Sequence, residues 1–265
     1  MKKAPSFRPS SLNDPVPNSF DPFNAQQLCA QSAEAYRRPR TPEEADAHVH
    51  IGTRVRDLIV AFRGTANLSN WLTDLDCELV RLRNFRLHRG FFEAFMAVKL
   101  DLDLSQWRLW VTGHSLGGAL AELWAWWMAE CGHAVAGVYT FGQPRVGDAA
   151  FAARYDSMLK TRTFRVVHAD DIVPRIPWQL GRYRHAGHEV FFPSPGGRGS
   201  KRKGRWLQNC GLLRRFAYDL TALARGLGRG KLVLVDDHHI RRYQALFPAR
   251  RADVRVSYSS DFHTL

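Results

Sequence analysis

A serine between glycines is the part of the chain best suited to chemistry. Residues 113–117 read Gly-His-Ser-Leu-Gly, which matches the pattern G-x-S-x-G. The pattern lies between an apolar strand predicted over 108–112 and an apolar helix predicted over 116–131. In such a turn the glycines let neighbouring backbone pass closely, and the serine Oγ projects at a helix N-terminus, where the dipole favours negative charge. Ser115 is therefore a candidate nucleophile, and a plain glycine-rich turn is the alternative.

A serine hydroxyl becomes a good nucleophile only when an imidazole takes its proton and a carboxylate holds that imidazole in the right tautomer. In this kind of turn the carboxylate and then the histidine follow the serine along the chain. Asp170 and Asp171 come directly after the strand predicted over 163–168. They are thus expected at the carboxyl edge of the sheet, where such folds place their sites.

Two adjacent histidines, His238 and His239, lie near the C-terminus just before a predicted helix, so either one meets the requirement for a base. The other histidines fit less well. His114 adjoins the serine, and its side chain must point away from Oγ. His88 precedes the serine, and we interpret it as structural.

Three further histidines are also placed away from this chemistry. We expect His168 to lie within a strand. His185 and His188 flank a basic segment of the chain.

An acyl-transfer site also needs N–H donors aimed at the oxyanion. One should be the backbone N–H of Leu116, the residue after the serine. The second should follow an earlier strand, and residues 59–65 read Ile-Val-Ala-Phe-Arg-Gly-Thr, a buried strand that opens into a glycine turn. Thr65 can offer its backbone N–H and its hydroxyl there. A simple turn explains residues 63–65 equally well.

Continuous apolar strands that alternate with helices must position these residues. This pattern is typical of a mostly parallel sheet with helices on both faces, an α/β fold. The predicted strands are 47–52, 57–62, 108–112, 134–141 and 163–168. The predicted helices are 24–36, 91–102, 116–131, 149–159, 210–227 and one after Asp237.

The 265 residues fit one large domain. Residues 1–22 are polar and rich in proline, which predicts a flexible N-terminal arm. Residues 23–265 then form the single domain. A segment rich in Gly, Pro, Arg and Lys, at about 193–205, predicts an exposed basic loop.

The formal net charge is +13, and much of it lies between Arg182 and Lys231, where twelve basic residues are opposed only by Glu189 and Asp219. Such a surface favours transient contact with an anionic lipid surface, and a merely solvated face is the alternative. We expect no nucleic-acid partner. The oligomeric state does not follow from the sequence.

The four cysteines are scattered without CxxC spacing, which argues against a zinc site and against a disulfide framework. The start, Met-Lys-Lys, is followed by prolines rather than an apolar run, and no stretch approaches the roughly 20 apolar residues of a membrane span. We therefore expect a cytoplasmic protein. The chemistry described above needs no metal or organic cofactor.

Seven ordered motifs resemble the fungal-lipase-like, or class 3 lipase, family of α/β-hydrolases over roughly residues 24–247. They are Ala-Phe-Arg-Gly-Thr (61–65), Asn-Trp-Leu-Thr-Asp-Leu (70–75), His-Arg-Gly-Phe (88–91), Gly-His-Ser-Leu-Gly-Gly (113–118), Phe-Gly-Gln-Pro-Arg-Val-Gly (141–147), Asp-Ile-Val-Pro (171–174), and Asp237-His238 with Tyr243 five residues later.

The resemblance implies the α/β-hydrolase fold and triacylglycerol lipase activity, or related carboxylesterase and phospholipase activity. By matching position, Ser115 would be the nucleophile, Asp171 the orienting acid and His238 the general base. Thr65 and Leu116 would supply the oxyanion donors. The implied function is hydrolysis of lipid esters through a Ser-His-Asp triad and an acyl-enzyme. The alternatives are phospholipase A1 or thioesterase activity with the same triad, or a non-catalytic scaffold that acts as a basic binding module.

The segment after Thr65, through about Leu79, corresponds to the family's lid, in which Trp71, Leu72 and Leu75 would form the apolar face or pack in the core. Secreted fungal members carry export signals and disulfides, whereas this chain resembles the bacterial intracellular branch. The basic insertion and the doubled histidine also depart from the family pattern.

Overall fold

A computed structural model describes residues 12–37, 49–54, 56–65, 78–98, 100, 102, 104–168, 171–177, 182–193, 207–208 and 238–247. Its centre is a seven-stranded sheet in the order β1-β2-β5-β6-β7-β8-β9. The seven strands are β1 Val49–Arg54, β2 Asp57–Phe62, β5 Arg108–His114, β6 Val135–Phe141, β7 Thr163–His168, β8 His188–Phe192 and β9 Leu207–Gln208. The two outer strands are antiparallel to their neighbours and the inner ones run parallel.

Helices that connect the parallel strands cover both faces of this sheet, and every residue of the inner strand β2 is therefore buried. Alternate side chains of a strand point to opposite faces. Leu58 and Val60 therefore join one core, while Ile59 joins the other.

Two groups of helices complete these cores. The helices are α1 Pro22–Glu34, α2 Arg89–Ala97, α3 Leu116–Glu130, α4 Ala149–Leu159 and α5 Ile240–Ala245. Side chains of α2, α3 and α4 pack in the first core, and side chains of α1 and α5 pack in the second. The structure therefore has the expected α/β-hydrolase architecture.

Residues 12–21, the described part of the predicted N-terminal arm, contact the rest of the fold at defined points. Leu12 and Phe20 are buried in the second core. The Leu12 N–H donates to Oδ2 of Asp57 at 2.7 Å. These two apolar side chains and the buried carboxylate attach residues 12–21 to the sheet at both ends of the segment. Residues 1–11 lie outside the described residues.

Several elements differ from the sequence prediction. A two-stranded antiparallel sheet is formed by β3 Leu79–Leu82 and β4 Phe85–His88. It was not predicted, because each strand has only four residues and an arginine interrupts its apolar sequence. Strands β8 and β9 were not predicted either, and α2 ends at Ala97 rather than at residue 102. The predicted helix 210–227 and nearly all of the predicted basic loop lie outside the described residues. Within the described segments, no helix combines the length and the apolar character that crossing a membrane requires.

Candidate active site

Ser115 occupies a sharp turn between β5, which ends at His114, and α3, which begins at Leu116. Its backbone has φ 61° and ψ −131°, in the left-handed half of φ space that non-glycine residues rarely adopt. A Cβ added at Gly117 would lie 2.1 Å from the carbonyl oxygen of Phe62, so only glycine lets α3 approach β2 this closely. A strained residue in such a turn is typical of a functional position.

The backbone of Ser115 is tied down on both sides. Its N–H donates to the carbonyl of Phe141 at 3.0 Å, and its carbonyl accepts from Gly118 N–H at 2.9 Å. Its Oγ is buried and has no hydrogen-bond partner among the described residues. The backbone of Ser115 is thus fixed, while no described residue engages its hydroxyl.

Asp171 lies in the loop after β7 and is fully buried. Its Oδ2 accepts hydrogen bonds from Nδ1 of His238 at 2.8 Å and from the hydroxyl of Tyr243, and its Oδ1 accepts from Val173 N–H at 2.9 Å. Burial, and then the nearby Asp171 charge, raise the pKa of Tyr243 well above its usual value. The tyrosine hydroxyl therefore keeps its proton and remains a donor to the carboxylate.

The structure brings His238, and not His239, to this carboxylate. His238 is buried directly before α5, and the Nδ1 hydrogen that it donates to Asp171 leaves the lone pair on Nε2, the atom a general base uses. His239 is exposed, and its Nδ1 accepts from Arg241 N–H at the start of α5. Asp170 lies outside the described residues.

Nε2 of His238, like Oγ of Ser115, is buried and has no hydrogen-bond partner among the described residues. The Ser115–His238 hydrogen bond is therefore not formed in this structure. Catalytic hydrogen bonds of this kind are often long without substrate and tighten in the substrate complex.

His114 supports His238 from behind. The two rings stack with their centroids 4.5 Å apart, and Nε2 of His114 lies 2.6 Å from the carbonyl oxygen of His238. Because a carbonyl can only accept, Nε2 carries the hydrogen and Nδ1 accepts from the Tyr36 hydroxyl at 2.9 Å. Burial, and then the proximity of His238, lower the pKa of His114 well below its usual value, so this ring stays neutral beside the base.

Gly142 closes the other side of the histidine–aspartate pair. Its φ is +61°, and a Cβ at this position would lie 2.8 Å from Cε1 of His238 and 3.0 Å from Oδ2 of Asp171. Any side chain here would push the pair apart, so glycine is required by both conformation and space.

The loop that carries Asp171 is held by two buried arginines. Arg145 donates through one terminal nitrogen to the carbonyls of Arg175 and Pro177, the latter at 2.8 Å. Nε of Arg175 donates to the backbone carbonyl of Asp171 at 2.9 Å. These bonds fix the loop backbone directly under the acid.

The turn after β2 passes beside the serine. A Cβ built at Gly64, the residue before the candidate donor Thr65, would lie 3.2 Å from Cβ of Ser115. Leu116 is the first residue of α3, and such a residue has no acceptor for its N–H within its own helix. The predicted lid residues Trp71, Leu72 and Leu75 lie outside the described residues.

The hydrogen bonds of three other histidines lead to partners outside the Ser115–Asp171–His238 group. His88 caps α2 by accepting a hydrogen bond from Phe91 N–H, and its ring stacks on the Phe91 ring with the centroids 4.0 Å apart. His185 contacts the carbonyl of Pro174, and His188 contacts Asn18. Among the described residues, no cluster of His, Cys, Asp and Glu is arranged to hold a metal ion.

Sequence reasoning did not assign roles to Tyr36, His114, Gly142 or Tyr243. Tyr243 lies five residues after His238, within reach of the same carboxylate once α5 forms, so its spacing carried a signal. Tyr36 carried no signal, because it reaches the site only through the packing of α1 against the sheet.

The class 3 lipase family model matches residues 59–181 of the chain. A secreted mono- and diacylglycerol lipase of Fusarium solani is 33% identical over 159 residues, which covers 55% of this chain and 46% of that protein. A lipase of Rhizomucor miehei is 32% identical over 164 residues, with 56% of this chain and 45% of that protein covered. The chain thus spans about half the length of the curated relatives it matches.

A solved structure, that of a triacylglycerol lipase whose catalytic centre is described as a serine protease triad, superposes with a TM-score of 0.59 at 26% identity. The superposition covers 65% of this chain and 80% of that one. The chain is therefore similar to class 3 lipases over the matched residues, and it shares the fold of the solved triacylglycerol lipase.

Proposed function

We propose that the chain is a serine carboxylic ester hydrolase that acts on lipid esters, as a triacylglycerol lipase does. The observation that carries the proposal is the 2.8 Å hydrogen bond from His238 Nδ1 to Asp171 Oδ2, made beside a strained serine turn. It joins residues 67 positions apart in the chain order that a Ser-Asp-His site requires.

In the first step, His238 Nε2 takes the proton of Ser115 as Oγ forms a bond to the ester carbonyl carbon. The carbonyl oxygen becomes an oxyanion and accepts from Leu116 N–H and from Thr65. Removing one such donor costs about 2.7–4 kcal/mol of transition-state stabilisation in other enzymes. Asp171 stabilises the imidazolium that forms, and it remains a carboxylate.

In the second half, the bond to the alcohol oxygen breaks and that oxygen leaves with the proton from His238. A water molecule then gives a proton to His238 while its oxygen attacks the acyl-enzyme, and the fatty acid leaves as Ser115 recovers its proton. The neutral, stacked His114 ring supports this cycle because it adds no positive charge beside the imidazolium.

The lipid class is part of the proposal. The Fusarium relative is named for mono- and diacylglycerols and the structural relative for triacylglycerols. The basic residues between Arg182 and Lys231 support transient contact with an anionic lipid surface. Phospholipase A1 and thioesterase activities use the same triad and differ in the substrate that they accept.

A cytoplasmic location is also proposed, since Cys29 and Cys131 are both unpaired. The bacterial, intracellular affinity expected from the sequence finds no support among the relatives reported above, which are fungal and include a secreted lipase.

The test is hydrolysis of p-nitrophenyl esters of increasing chain length, a triacylglycerol emulsion, a phospholipid and an acyl thioester. Ser115→Ala and His238→Ala should each lower kcat by about 10⁴-fold or more on the best substrate. His239→Ala is the matched control and should retain turnover. Folded Ser115→Ala with wild-type turnover would exclude the proposal. Salt-sensitive vesicle binding without any turnover would instead favour the binding-module alternative.

A further inference from the structure

Glu122 is a buried carboxylate within the apolar first three turns of α3. It lies two helical turns after Ser115 on α3, and only 1% of its surface is exposed. The residues of α3 from Leu116 to Trp126 are all buried, and Glu122 is the only charged residue among them. Such a residue needs a reason, because acidic side chains are rarely fully buried.

The carboxylate is anchored by one neighbour and left incomplete. Its Oε2 accepts from the side-chain amide of Gln143, whose Oε1 in turn accepts from the Thr140 hydroxyl at 2.6 Å. Its Oε1 is buried and has no hydrogen-bond partner among the described residues. The Gln143 amide is therefore oriented at both ends, with its N–H₂ directed to Glu122.

The charged and titratable groups that act on Glu122 come from the neighbouring elements. Arg165 of β7 favours its ionised form, and Asp156 of α4 opposes it. The charge of Glu122 contributes to raising the pKa of Tyr155 of α4. Oε2 of Glu189, on β8, lies 3.9 Å from Nη1 of Arg165. Burial dominates this balance and raises the pKa of Glu122 to about 7.

This arrangement is unfavourable for stability near neutral pH, where much of the population must carry a desolvated charge. An apolar side chain of similar volume in such a place is often neutral or stabilising. That cost points to a role for the carboxylate other than holding α3 in the core, and Gln143, its hydrogen-bonded neighbour among the described residues, indicates where to look.

The segment 140–143, which Gln143 ends, contacts all three members of the triad. The carbonyl of Phe141 accepts from the Ser115 N–H, and Gly142 packs against both His238 and Asp171. A shift of this segment by a fraction of an ångström would change all three positions together.

We propose that Glu122 is a positioning residue for the triad. It holds the segment 140–143 in place through its hydrogen bond with the side chain of Gln143, and it does so most firmly when its carboxylate is ionised. The inference rests on the proposed function. An ionised acceptor makes a shorter and stronger hydrogen bond than a neutral one, so the Gln143 amide is clamped more tightly in the charged form.

Three variants test the idea on the best ester substrate. Glu122→Leu removes the acceptor and should lower kcat about 10-fold at high pH with KM unchanged, since small misplacements of catalytic groups reduce turnover. Glu122→Gln keeps an acceptor but cannot ionise. Glu130→Gln, on the same helix but paired with Arg154 at its far end, is the control and should match wild type.

The decisive readout is the ratio of wild-type to Glu122→Gln kcat as a function of pH, because the titration of the triad cancels in it. The ratio should be near one at about pH 5.5, where Glu122 is protonated, and should rise to about 3 by about pH 8.5. A ratio independent of pH overturns the inference, as does wild-type kcat in folded Glu122→Leu. If Glu122→Leu does not fold, the ratio alone decides.

A second measurement separates this inference from the proposed function. The Nδ1 proton of His238, hydrogen-bonded to Asp171, should give a low-field proton resonance whether or not any ester is hydrolysed. That resonance should shift or broaden in Glu122→Gln and Glu122→Leu and stay in place in Glu130→Gln. Unchanged resonances in both Glu122 variants would overturn the inference, whereas a complete lack of turnover in wild type would overturn only the function.

Discussion

Nε2 of His114 donates to the backbone carbonyl of His238 at 2.6 Å, while the two imidazole rings stack 4.5 Å apart. The residue next to the nucleophile thus fixes both the backbone and the ring plane of the base. This link depends in turn on Tyr36, whose hydroxyl donates to Nδ1 of His114.

Tyr36→Phe should therefore weaken catalysis without touching the triad. It removes the donor to His114, leaves a buried nitrogen without its hydrogen bond, and should lower the free energy of unfolding by about 1–3 kcal/mol. We expect kcat to fall about 3- to 10-fold with KM unchanged, since only the orientation of His238 is loosened. Denaturant unfolding and steady-state kinetics measure the two effects. Unchanged kcat in a destabilised variant would show that His238 does not need this support.

Tyr243→Phe removes one of the two side-chain donors to Oδ2 of Asp171 and leaves the hydrogen bond from His238. Because hydrogen bonds to charged groups contribute about 1.5–3 kcal/mol, we expect a comparable loss of unfolding free energy and about a 10-fold lower kcat. The contrary result is a variant as active and as stable as wild type.

Gly142→Ala should be among the most damaging single-methyl changes, since the new Cβ would overlap His238. We expect kcat to fall about 10²-fold. Gly132→Ala is the matched control, because Gly132 also has positive φ (+84°) but no atom of a described residue lies within 4 Å of its Cβ position. Both variants should lose about 1–2 kcal/mol of stability from backbone strain. Equal activity in the two would contradict the packing of Gly142 against the triad.

Glu122→Gln should alter the pH dependence of stability in a defined direction. The folded-state pKa of about 7 lies above the usual 4.5, so the stability linked to this proton is fully present below pH 4.5 and is lost as pH rises through 7. Relative to wild type, the variant should therefore gain unfolding free energy between these values, by up to about 3 kcal/mol at pH 8. Urea unfolding at a series of pH values measures the gain. A constant difference across the range would mean that Glu122 does not titrate there.

The sequence predicted the parts of the fold that depend on local pattern. The limits of β2, β7 and α4 agree with the prediction. For β2 the signal is the run of five apolar residues from Leu58 to Phe62, because a strand buried on both faces has a continuous hydrophobic sequence. The hairpin of β3 and β4 was not predicted, because its strands are short and each contains an arginine. Phe85 and Leu87 of β4 pack in the first core, a contact that the local sequence does not reveal.

The candidate site was predictable where chain order constrains it. Order alone left two aspartates and two histidines open, and the resemblance favoured Asp171 and His238. The structure joins that pair, whereas the exposed His239 becomes the N-cap of α5. Tyr36 and Glu122 could not be predicted, since their roles arise from contacts between α1, α3 and the sheet that no local pattern encodes.

Reaction of the intact protein with a fluorophosphonate, followed by peptide mass spectrometry, tests the central assignment most directly. We expect a single stoichiometric adduct on Ser115, formed at least about 10³-fold more slowly in His238→Ala and at the wild-type rate in His239→Ala. An adduct on another residue, or equal labelling rates in the two histidine variants, would contradict the account.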